Sequence, residues 1–119
     1  MTMTAEHPPY MPGFRDRVGH CYELSGGAVV FGRRTSVLVH GTIQGPGHPR
    51  IGHAWVELDN GETIHDPVTG WTCNTAWWLD FHNAVPEARY PYAEAAAAVM
   101  EHGTWGPWHD EDPAHEGAT

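Results

Sequence analysis

The segment that most restricts how this chain can fold is residues 51–66, two runs of apolar and β-branched residues joined by Asp59-Asn60-Gly61-Glu62. Asn-Gly between two such runs selects a turn with positive φ at both residues, whose twist matches a pair of antiparallel strands. The spacing predicts strands over residues 51–58 and 63–66, stopped by Pro67 and Gly70. Pairing about that turn sets Trp55 opposite Asp66 and His53 opposite Val68. One face of the hairpin then gathers His53, Trp55, Ile64, Asp66 and Val68, while His65 points to the other. Asp66 lies diagonally across from His53, within the range at which a carboxylate orients an imidazole.

Upstream, residues 19–31 place Cys21, Leu24, Ala28 and Phe31 at helical spacing, with Gly32 as a stop. Cys21 is thereby expected in a helix's first turn. The Gly26-Gly27 pair costs that helix on the order of 1 kcal/mol per glycine, so close packing against a neighbour has to offset it. Residues 36–43 read as a strand, broken from the next by Gly45, Pro46, Gly47 and Pro49. Downstream, Asn74 or Thr75 caps a short helix reaching Phe81, and Trp77 and Trp78 on it read as core residues. A second helix occupies residues 91–102, with proline in its first turn and Gly103 just past its end. The closing stretch 103–108 carries Trp105 and Trp108 and is expected to pack back onto the sheet.

Composition limits the alternatives. A chain of 119 residues, with Pro/His/acid-rich ends over residues 1–13 and 109–119, leaves one domain of residues 14–108. Apolar residues make up 40%, and six tryptophans supply bulk for a modest core. The ends are expected to be flexible, the C-terminal one as a disordered acidic and His-containing tail. No apolar stretch approaches the ~20 residues that cross a bilayer, and the N-terminus has no export signal. Two cysteines are too few for a disulfide scaffold. A cytoplasmic protein without membrane contact is the expectation. Fifteen acids against six arginines give a net charge of -9, which disfavours nucleic acid as a partner. Gly19, Gly26, Gly27 and Gly32 lack the order of a dinucleotide fingerprint, so no nucleotide cofactor is indicated.

The chemistry-bearing residues are Cys21, His53 and Asp66. At a helix N-terminus the backbone dipoles favour a thiolate, and a neighbouring imidazolium adds to this. An imidazole can take the thiol proton and later return it to a leaving group, while a carboxylate fixes its tautomer. Tyr22, beside the cysteine, and Trp55 are candidates for lining the substrate cleft.

These residues also resemble a known superfamily. The run Gly52-His53-Ala54-Trp55-Val56-Glu57-Leu58, a hairpin, then Asp66-Pro67, preceded by Cys21 at a helix start, is similar to the transglutaminase-like branch of the papain-like cysteine peptidases, in particular to small phage and actinobacterial proteins. The resemblance spans residues 19–70. It implies a compact α+β domain, with an N-terminal cysteine helix on a small antiparallel sheet and helices following. It further implies a catalytic triad of Cys21, His53 and Asp66 acting on a peptide or protein amide, isopeptide or ester bond without a cofactor. Tyr22 follows the cysteine where that family commonly has Trp. Gln44 is the only glutamine and lies after Cys21, so the Cys21 backbone N–H is the one oxyanion donor the sequence assigns.

Three other readings use the same residues. An amidase of the NlpC/P60 type would orient His53 with His65 in place of Asp66. A binding module would keep the papain-like fold without catalysis and meet a host factor through exposed tryptophans. A metal site would draw on His40, His48, His53 and His65 with Cys21 or Cys73, but no His-Glu-x-x-His or Cys-x-x-Cys spacing supports one, and no metal is expected. Arg33-Arg34 reads as a solvated turn, or else as a receptor for a substrate carboxylate.

Overall fold

A computed structural model describes residues 20–108. The expected terminal segments, 1–13 and 109–119, lie outside the described residues. Helix α1 spans Cys21–Val30, followed by strands β1 (Val37–Ile43), β2 (Ile51–Leu58), β3 (Thr63–Asp66) and β4 (Trp71–Asn74). Helix α2 (Thr75–Phe81), strand β5 (Val85–Pro91) and helix α3 (Tyr92–His102) complete the order. The strands form one antiparallel sheet of five, ordered β4-β3-β2-β1-β5.

The central hairpin has the expected register. Val56 pairs with His65, Glu57 with Ile64 and Leu58 with Thr63. Asn60 and Gly61 take φ of 59° and 89°, and the Glu62 N–H donates to the Asp59 carbonyl at 3.2 Å, closing the mirror-image turn that Asn-Gly favours. The ladder nevertheless stops at Val56–His65, so neither the pairing of Trp55 with Asp66 nor that of His53 with Val68 is made. Pro67 has no N–H to extend the ladder, and Asp66 Oδ1 accepts the Val68 N–H at 3.0 Å, turning the chain away. Val68 packs instead against the core on the α1 side.

The sheet separates two layers of packing. On one face, Leu38, Ala54 and Val56 meet Cys21 and Val29 of α1, Ala95 of α3 and Trp108. On the other, Val39, Trp55 and Ile64 meet Trp78 of α2. Helix α1 buries Cys21, Ser25, Gly26 and Val29, a line displaced from the expected Leu24–Ala28–Phe31 side; Phe31 lies beyond the helix and is exposed. Two contacts of small residues set this rotation. Ser25 Oγ donates to the Ala54 carbonyl at 3.1 Å, and a Cβ on Gly26 would come within 2.6 Å of the Trp105 ring. Close packing thus offsets the cost of Gly26, whereas Gly27 faces open space.

The C-terminal aromatics pack as expected in part. Trp108 is buried against His40 and Tyr90 of the sheet, while Trp105 contacts α1. Asn74 caps α2, its Oδ1 accepting the Trp77 N–H at 3.0 Å. Pro91 ends β5 and is the N-cap of α3 instead of lying in its first turn; Gly103 closes α3 with φ 69°. Arg33 and Arg34 are exposed, and the Arg34 guanidinium stacks over Tyr92 at 4.8 Å. Strands β4 and β5 are additional to the expected sheet. No helix among the described residues is long and apolar enough to cross a membrane.

Candidate active site

His53 sits near the start of β2, on the face shared with Trp55. Its ring stacks at 6.2 Å from Trp55 and 6.1 Å from Trp78, with interplanar angles of 27° and 20°. These indoles form an apolar wall and leave the His53 side chain 11% exposed. Across the hairpin, Asp66 Oδ2 lies 3.4 Å from His53 Nε2. That is longer than the roughly 2.7–2.9 Å of a well-made charged pair. The Asp66 side chain is 2% exposed and fixed through its other oxygen by the Val68 N–H. The Gly70 N–H at 2.7 Å and Thr69 Oγ at 3.3 Å both donate to the Asp66 carbonyl, so the following turn holds the residue in place.

Cys21 reaches this pair from α1, near enough to His53 for its thiol to help raise the ring's pKa. It occupies the helix's first turn, where its N–H has no intrahelical acceptor. Glycine at position 52 permits the approach. A Cβ there would lie 2.6 Å from the Tyr22 hydroxyl, which packs over the backbone just before His53. Tyr22 is otherwise braced edge-on against His40 at 4.8 Å.

The electrostatics of His53 follow from this setting. Burial pushes its pKa down. The hydrogen bonds to Asp66 and Cys21, and the charges on both, outweigh burial and hold it at about 9. The ring is therefore an imidazolium at neutral pH. His65 behaves in the opposite way. Burial lowers its pKa more than the Asp66 charge and a hydrogen bond with the Trp71 backbone raise it.

The structure thus brings Cys21, His53 and Asp66 together. His65 faces away, its Nδ1 bonded to Thr72 Oγ at 2.9 Å, and borders a separate cleft beside Val56 and Leu58. Trp55 is fully buried and meets the site only by packing against His53. Trp78 is buried as expected, but Trp77 on the same helix is 49% exposed. His40 is enclosed by Tyr22, Tyr90 and Trp108. Among the described residues, no group of three or more His, Cys, Asp or Glu side chains is arranged to hold a metal ion.

Three contributors were not read from the sequence: Trp78 as a wall for His53, Gly52 as the gap that admits Tyr22, and His82. The His82 ring packs on Trp78 at 4.4 Å. Its pKa is lowered by burial, raised by Asp66 and lowered by His53, which puts it within electrostatic reach of the pair. A glycine directly before the histidine was the legible signal for Gly52. The side of α2 that turns inward had none.

No family model matches the chain, and no curated protein or solved structure matches it either. The fold and site define a compact α+β domain built on an antiparallel sheet of five strands, with a buried Cys-His-Asp cluster at one end of its central strands.

Proposed function

We propose that this protein is a thiol-dependent acyl-transfer enzyme of the transglutaminase-like, papain-like kind, hydrolysing an amide, isopeptide or ester bond of a peptide or protein through a Cys21 thioester. The observation that carries the reading is one buried imidazole set 3.4 Å from a fixed carboxylate and near enough to the Cys21 thiol for both to raise its pKa to about 9. A positive ring beside sulfur favours the thiolate, the form that attacks carbonyl carbon.

With Nε2 turned to Asp66, Nδ1 is the nitrogen left to hold the proton taken from the thiol, so that the resting pair is an imidazolium beside a thiolate. The Cys21 sulfur adds to the carbonyl carbon, and the Cys21 N–H, at the positive end of α1, receives the developing oxyanion. As the tetrahedral adduct collapses, the bond to the leaving amine or alcohol breaks and His53 returns its proton to that group. Water, deprotonated by His53, then attacks the thioester, releasing the carboxylic acid and restoring the thiol. Asp66 keeps the ring in the correct tautomer throughout. The long Asp66–His53 separation suits a resting enzyme, in which such bonds tighten on substrate binding. Hydrolysis is preferred to crosslinking because water needs no second acceptor pocket.

Treatment with p-nitrophenyl acetate tests the proposal. An acetyl group should appear on Cys21, absent in Cys21→Ala and His53→Ala and retained in Cys73→Ser. Acetylation confined to Cys73, or equal release of p-nitrophenol by Cys21→Ala, would end the proposal in favour of a non-catalytic module.

A further inference from the structure

Trp71, Trp77 and Phe81 are 45%, 49% and 58% exposed, yet they pack on one another. Trp77 and Phe81, one helical turn apart on α2, stack at 4.9 Å and 12°. Trp71 lies 6.3 Å from Trp77 and 6.1 Å from Phe81. Single exposed apolar residues are ordinary, but three large rings in one contiguous patch mark a binding surface. The patch is not remote from the buried cluster. Trp71 is the cross-strand partner of Asp66 and so lies on the same face of the sheet, and Trp78, next to Trp77, stacks on His53.

Charge identifies the occupant. Between Arg50 and Arg89 the chain has no arginine or lysine, and Arg50 itself is engaged just beyond the end of α2, its guanidinium donating to the Asn83 carbonyl at 3.0 Å and to Thr42 Oγ1 at 2.8 Å. The exposed charges on these elements are acidic: Asp80 precedes Phe81 on α2, and Glu62 sits beside the start of that helix, where the Glu62 carbonyl accepts the Thr75 N–H at 3.0 Å. Aromatic faces, tryptophan above all, attract guanidinium and ammonium groups. Carboxylates around such faces add long-range attraction for a positive chain and repel a negative one.

We propose that Trp71, Trp77 and Phe81, with Asp80 on the same helix and Glu62 beside its start, form a binding site for a cationic peptide segment, with an arginine or lysine side chain laid over the rings. The site stands independently of the chemistry at Cys21. Should both hold, its position beside Asp66 makes it the side from which a basic substrate segment enters.

Calorimetric titration of the whole protein with an eight-residue Gly/Ser peptide carrying three arginines tests the proposal, and a peptide of equal length with glutamine in place of arginine is the control. The arginine peptide should bind and the control should not. Trp77→Ala should weaken binding about tenfold, Glu62→Gln with Asp80→Asn should weaken it and flatten its salt dependence, and Cys21→Ala should bind normally. Indole N–H resonances of Trp71 and Trp77 should shift on titration, while that of Trp108 should not. Equal binding of the glutamine peptide would overturn the proposal. So would binding of a neutral oligosaccharide at the same indoles without the arginine peptide, or a sedimenting dimer that Trp77→Ala converts to monomer.

Discussion

Replacing Asp66 with Asn removes a negative charge while keeping the side chain's shape, and His53 is the group that reports the loss. Its rise from the ordinary 6.5 to about 9 amounts to about 3 kcal/mol in favour of the charged ring. Burial acts against that rise, and the hydrogen bond to Asp66 is the largest contribution for it. A carboxylate at this range is worth about 1–3 pH units to an imidazolium. The His53 midpoint in Asp66→Asn should therefore fall by at least one pH unit. Stability should follow the same proton. Because the folded pKa lies above the unfolded one, His53 contributes its full stabilisation below pH 6.5 and loses it as pH rises through about 9. The wild-type unfolding free energy should thus decline across that window by up to about 3 kcal/mol, and Asp66→Asn should show a flatter profile. Long-range proton–nitrogen NMR of the histidine side chains, with His53→Asn to assign the resonance, measures the midpoint, and urea melts at pH 6 and 9 measure the slope. A midpoint in Asp66→Asn within a few tenths of wild type would refute the reasoning, since Asp66 would not be what retains the proton.

His65→Asn should leave the His53 midpoint unchanged, because His65 lies on the opposite face bonded to Thr72; the same NMR titration checks it. Trp78→Ala should lower stability by about 3–5 kcal/mol in urea melts, the cost of emptying a fully buried indole site. Gly52→Ala places a Cβ where the Tyr22 hydroxyl sits and should slow Cys21 alkylation several-fold while circular dichroism stays native. Glu57→Gln should cost about 1–2 kcal/mol in the same melts, because buried Glu57 loses the charge that holds the Arg89 guanidinium at 3.0–3.2 Å across the sheet.

The hairpin was legible because its determinants are local. Asn60-Gly61 fixed the turn, the turn fixed the register, and the register put Asp66 on the side of His53 and His65 on the other. Cys21 in a first helical turn and the caps at Asn74 and Gly103 were legible for the same reason. Edge strands were not. Residues 85–91 carry Pro86 and Pro91 with alternating charged and small residues, a pattern that fits an edge whose outer N–H groups need no partner. Strand β4 is four residues enclosed between Gly70 and a helix cap, too short to show a period. The rotation of α1 also escaped a periodicity reading, because glycine and serine carry it through close contacts that hydrophobicity does not record. Trp77 and Trp78 are chemically alike, and only the packing of α2 determines which is buried.

The central claim, that His53 activates Cys21, is tested most directly by a limiting dose of iodoacetamide at pH 6. The chain has no lysine, so trypsin cuts only after arginine and separates Cys21, between Arg17 and Arg33, from Cys73, between Arg50 and Arg89. Accessibility alone favours Cys73, which is half-buried where Cys21 is 8% exposed. Cys21 should nevertheless be labelled first in the wild type, and His53→Ala should reverse the order. Labelling of Cys73 ahead of Cys21 in the wild type, or an order unaffected by His53→Ala, would contradict that claim.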